Sequence, residues 1–130
     1  MKRTAIDPTD PVGVGSNPTP SVEEYLLGLR NINLTPRRAA MLKAHLLRPS
    51  ITARAMAEAV GLPSHREANI QYGSLAWALA QAMDRKIPSG HDKVTLIARM
   101  APPRSGGEWR WILHQNLKEA LRIIFSDAAA

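Results

Sequence analysis

A chain of 130 residues with 45% hydrophobic content holds enough apolar material for one compact core and too little length for a second full domain. Seventeen Lys and Arg against eleven Asp and Glu leave a net charge of +6, an excess that draws anionic partners by long-range attraction. The lack of cysteine excludes disulfides, thiol catalysis and cysteine-ligated zinc, while the absence of a long apolar run or secretory leader leads us to expect a cytoplasmic protein without membrane association.

The charge is unevenly placed. Residues 1–30 carry three cations against four anions and the remainder fourteen against seven, so the basic character belongs to the body of the chain. Residues 1–20 hold four prolines and two glycines and too few large apolar side chains to offset the entropy of ordering. A flexible Pro-rich arm is expected there, with a stiff ligand segment for a partner as the alternative.

Ser21 and Glu24 have capping-box spacing, which predicts a short helix running to about Arg30. Leu34, Thr35 and Pro36 supply a staple residue, a cap and a first-turn proline for a second helix. Its apolar positions are Ala39, Leu42 and Leu46, and it stops near Pro49. Thr52 caps a helix over Ala53–Val60, closed by Gly61. After a tight turn, Ser64 and Glu67 repeat the capping-box spacing. Ala68, Tyr72, Leu75, Leu79 and Met83 then line one face of a long helix.

From Lys93 the period changes to two. Val94, Leu96 and Ala98 alternate with polar or outward positions, and Trp109 and Trp111 flank Arg110. Between these runs, Ala101 to Gly107 is a turn-forming stretch, so a hairpin with a basic tip is predicted. A final helix over about Leu117–Phe125 buries Leu117, Leu121 and Ile124, and residues 126–130 should fray, leaving a domain over 21–125.

Helix, short helix, turn, longer helix and hairpin is the element order of a winged helix-turn-helix: mainly α with a small β-hairpin. The segment ITARAMAEAVGLPSHREANIQYG resembles the helix-turn-helix of that superfamily, with Ala57 where the second helix packs closely and Gly61 in the turn. In element order the resemblance covers residues 34–125, and in motif only that segment. ITARAMAEAVGL, NIQYGSLAWAL and the tryptophan-bearing strand before ALRII are also similar to small domains of bacterial and phage proteins, some attached to HNH nucleases. The nuclease's metal-binding histidines and asparagine have no matching motif here, so its activity is not carried over.

The resemblance implies sequence-specific double-stranded DNA binding by a small bacterial or phage-type transcriptional regulator. The alternative is an adaptor or inhibitor that docks on a nuclease or another nucleic-acid machine. With the longer helix in the major groove, His65, Arg66, Asn69 and Gln71 would reach bases, since Arg suits guanine and Asn or Gln suits adenine. Arg54, Arg37 and Arg38 would clamp phosphates. Arg104 at the hairpin tip, supported by Arg99, Arg110 and Lys93, would reach the backbone or minor groove. A homodimer on a symmetric site would use the terminal helix around Leu121–Phe125 or the helix after Ser21.

Plainer readings stand beside these. An exposed Arg is often only a solvated charge. His45, His65, His91 and His114 lack metal-ligand spacing and read as surface or structural residues, so no metal and no cofactor are expected. Trp109 and Trp111 read first as packing beneath the hairpin and second as stacking platforms. Trp77 lies off the main stripe of its helix, near Ile70 and Gly73, as a second core contact or a partner surface. Gly73 is either a place of close backbone approach or a tolerated packing glycine. Asp84, Asp92 and Glu108 share no evident cleft with a nucleophile, so no enzyme is expected.

Overall fold

In a computed structural model of the protein, the described residues are 19–87, 92–103 and 107–129, the last three as backbone only. Most of the expected N-terminal arm lies outside them, as do His91 and the hairpin-tip residue Arg104. The described chain is mainly helical, with a small antiparallel sheet of three strands.

The first four helices begin where short polar side chains satisfy free backbone N–H groups. Helix α1 (Val22–Asn31) carries a complete capping box: Ser21 Oγ accepts from the Glu24 N–H and Glu24 Oε1 from the Ser21 N–H, each at 3.1 Å. Helix α2 (Pro36–Leu47) starts on Thr35, whose hydroxyl accepts from the Arg38 N–H. Helix α3 (Ala53–Val60) starts on Thr52 and closes on Gly61 at φ 75°, a left-handed conformation that glycine adopts without cost. Helix α4 (His65–Ala82) starts on Ser64, but its capping box is only half made. The Glu67 carboxylate turns along the helix and accepts from Gln71 Nε2 at 2.8 Å.

The predicted first strand is displaced. Lys93–Leu96 is a 3₁₀ turn, because Asp92 Oδ1 accepts from the Val94 N–H at 2.9 Å and caps it. The strand β2 occupies Ala98–Ala101, and β3 occupies Arg110–Leu113. A further strand, β1 (Ser50–Thr52), pairs with β3, giving the order β1-β3-β2. Ile51 stands opposite Trp111, and Trp111 opposite Met100. The terminal helix α5 runs over Gln115–Ala129, beyond the stop expected near Phe125.

Trp111 is buried in the core and Trp109 is 54% exposed. The two do not share a strand face, since β3 starts only at Arg110. The Trp111 ring lies 5.0 Å from that of Tyr72 on α4, and Leu117, Ala120 and Leu121 of α5 are buried in the same core. Tyr25 of α1 is fully buried and donates its hydroxyl to the Leu96 carbonyl at 2.7 Å. Glu24 and Arg85 join α1 to the chain after α4 through two contacts of 3.1 Å, and Arg85 holds the Glu24 carboxyl below its ordinary pKa.

His45 is fully buried, as are the hydroxyl-bearing rings of Tyr25 and Tyr72. Its Nε2 faces the carbonyls of Trp111 (3.0 Å) and Pro49 (3.2 Å), so Nε2 carries the proton and Nδ1 accepts from the Tyr72 hydroxyl at 2.7 Å. Burial lowers the His45 pKa to about 4, helped by the nearby His114 and opposed by the two carbonyls. Burial also raises the Tyr72 pKa, keeping its hydroxyl a donor.

Gly28 sets the approach of α1 to α4. A Cβ there would lie 2.6 Å from Met83 Cγ and 2.8 Å from Leu79 Cδ1, closer than packed carbon atoms tolerate. Gly28→Ala is therefore expected to destabilise the fold by about 1–3 kcal/mol despite alanine's better helix propensity. A urea midpoint equal to or above the parent's would show that the two helices can separate without loss.

Candidate nucleic-acid interface

The buried residues of α4 are Ala68, Tyr72, Leu75, Ala76, Leu79 and Ala80. Helical spacing leaves the opposite stripe outside, with Arg66, Asn69, Ile70 and Trp77 all exposed. Four-residue and three-residue steps put Arg66, Asn69, Ile70 and Gly73 on this stripe. His65 is exposed in the first turn beside them. The helix N-terminus adds free N–H groups and the positive end of the macrodipole to the Arg66 end.

Gln71 belongs to a different part of the helix surface. It is half-buried, and its amide is engaged with Glu67. Three of the four residues expected to reach bases are thus brought together, and the fourth is occupied.

The expected phosphate contacts divide in the same way. Arg54, in the first turn of α3, is exposed but donates from Nε to Glu108 Oε2 at 2.6 Å, which raises its pKa through that hydrogen bond and the charge behind it. Arg38 donates from Nη1 to the Asn33 carbonyl at 2.9 Å, tying it to the loop before its own helix. Arg37 is exposed, one residue before.

The sheet gathers two of the predicted cations. Ile51, Trp111 and Met100 align across the strands on the core side, so alternation turns Ser50, Thr52, Arg110, Ile112 and Arg99 to the other face. Arg99 and Arg110 stand there as diagonal neighbours. Arg110 Nη1 donates to Ser50 Oγ at 3.1 Å, while its buried Nε has no hydrogen-bond partner among the described residues. Lys93, expected to support the hairpin tip, instead stands at the 3₁₀ turn beside α4.

The three carboxylates weighed as acid-base residues have separate structural positions. Glu108 pairs with Arg54, Asp92 caps the 3₁₀ turn, and Asp84 lies at φ 54° in the turn that follows α4. No group of three or more metal-capable side chains occurs among the described residues, and no described helix is long and apolar enough to cross a membrane.

The β1 partnership, the Arg54–Glu108 pair and the place of Lys93 were not expected from the sequence. All three join residues remote in sequence, and no local spacing signals them. On the α1 and α5 surfaces, considered for self-association, Leu27 and Ile123 are exposed whereas Leu121 is core. Comparison with protein-family models, curated proteins and solved structures returned no match.

Proposed function

We propose that α2-β1-α3-α4-β2-β3 is a winged helix-turn-helix and that it binds double-stranded DNA in a sequence-specific manner, as a regulator without catalytic machinery of its own. The reading is carried by one observation. Arg66 and Asn69 lie one turn apart on the exposed face of α4, and among the described residues neither side chain is held by a hydrogen bond or ion pair. Arg matches guanine and Asn matches adenine in the major groove, each such pair contributing about 1–3 kcal/mol of discrimination.

Arg99 and Arg110 on the outer sheet face support the reading as phosphate contacts that position the helix without reading sequence. The adaptor reading rests on a different observation, the exposure of Ile70 and Trp77 farther along α4, since exposed aromatic residues are common anchors of protein interfaces.

Selection from a random duplex pool, followed by titration at several salt concentrations, tests the proposal. Arg66→Ala and Asn69→Ala are expected to narrow the gap between selected and random duplexes by about 1–3 kcal/mol each. Arg99→Ala is expected to weaken binding to every duplex and reduce the salt slope by about 1. A pool that yields no shared motif, with all three variants binding as the parent does, would sink the DNA-reading surface and favour the adaptor.

A further inference from the structure

Among the described residues, two glycines sit inside helices, and only one is explained by packing. Glycine within a helix costs about 1 kcal/mol relative to alanine. At Gly28 the close approach of Met83 and Leu79 requires it, whereas at Gly73 a Cβ would meet nothing within 4 Å. The open space beside Gly73 is a groove of about 630 Å³, a volume in the range of small-ligand sites.

The walls of the groove differ in chemistry. Ile70 and Trp77 form an apolar side, and both are more than half exposed. Asn69, Ser74, Asp92 and Lys93 form the polar side. Asp92 uses Oδ1 to cap the 3₁₀ turn, and Oδ2 makes no hydrogen bond to the described residues. Lys93 is exposed and forms no ion pair with them, Asp92 included.

The groove therefore offers a half-exposed indole, a donor-only ammonium, an acceptor-only carboxylate and an amide that does both. A bare phosphate on Lys93 would be opposed by Asp92. An apolar peptide side chain would cover these polar groups without pairing them, which is costly. A planar ring whose edge carries both donors and acceptors meets all of them.

We propose that this groove receives one unpaired nucleobase of a bound nucleic-acid strand. Its ring stacks on Trp77 and against the bare backbone at Gly73, and its edge is read by Asn69, Asp92 and Lys93. The proposal rests on the nucleic-acid reading above and extends it from the paired duplex to a base outside the stack. Extruding a base costs least where it is already unpaired, so the groove favours mismatched or single-stranded sites.

The test is fluorescence anisotropy of the full chain with a fully paired duplex, the same duplex carrying one unpaired base, and the corresponding single strand. The parent protein is expected to prefer the unpaired base by at least about fivefold, the lower end of what one stacking contact gives. Trp77→Ala and Gly73→Leu should each abolish that preference, read as the ratio of unpaired-base to paired-duplex affinity within each variant. Trp77 is exposed and a side chain at Gly73 would enter open space, and thermal unfolding verifies that the variants fold.

Equal affinity for paired and unpaired duplexes, or a preference that survives both substitutions, overturns the base site and leaves duplex binding standing. A parent that binds none of the three overturns both readings. Nucleoside 5′-monophosphate that saturates the protein at micromolar concentration, without any strand preference, assigns the groove to a free nucleotide and overturns the strand-borne base. Protection of Trp77 by a protein partner, again without a base preference, assigns it to a peptide.

Discussion

Lowering the pH from about 6.5 to about 4 is expected to remove about 3 kcal/mol of stability through His45. The folded chain keeps this imidazole neutral down to about 4, whereas the unfolded chain protonates it near the ordinary value of 6.5. Below 6.5 the unfolded state therefore holds one more proton, and each pH unit costs about 1.4 kcal/mol until the folded state also protonates. Glu24, whose pKa is lowered from 4.5 by Arg85, loses its contribution only below that value, so the upper part of the window belongs to His45. Urea unfolding at a series of pH values should show this slope in the parent and its absence in His45→Gln. A parent that is flat above pH 4.5, or a variant with an unchanged slope, would mean that the ring is not held neutral by the fold.

The two tryptophans near the sheet should differ by several kcal/mol in their cost of removal. Trp111→Ala is expected to destabilise by about 3–5 kcal/mol, because it empties a core position against Tyr72. Trp109→Ala should stay within about 0.5 kcal/mol, as for other surface substitutions away from special contacts. Denaturant midpoints of both variants, with unchanged m-values, check this. Similar costs at the two positions would contradict the strand register that places one ring inside and the other outside.

The sequence was most readable where structure is decided within a few residues. Thr35, Thr52 and Ser64 act as caps and Gly61 as a left-handed stop, because each effect depends on backbone groups three or four positions away. Alternation misled at Val94 and Leu96, since apolar residues two apart also fit a 3₁₀ turn once Asp92 bonds to the Val94 N–H. Ser50–Thr52 was invisible as a strand: three residues give no period, and its pairing is with residues some 60 positions later.

For the candidate site, the sequence put Arg66 and Asn69 in the first turns of the long helix, and the structure places both on its exposed face. Helical spacing could not show that Glu108 would engage Arg54 or that Lys93 would come to rest beside Gly73 and Trp77. The distinction between the two helix glycines was equally hidden, because the neighbours that require Gly28 are Leu79 on α4 and Met83 at its C-terminal end, some 50 positions later.

The partnership of β1 with β3 has a consequence for the chain as it leaves the ribosome. Until Arg110–Leu113 has emerged, Ser50–Thr52 has no strand to join and the His45 ring lacks the Trp111 carbonyl. The first four helices can be synthesised and sampled, but their core stays open at the sheet. Such late closure makes folding depend on sequence-distant contacts, which form slowly, and a truncation just before β3 would leave the nascent domain with an unpaired edge for chaperones or other chains to find.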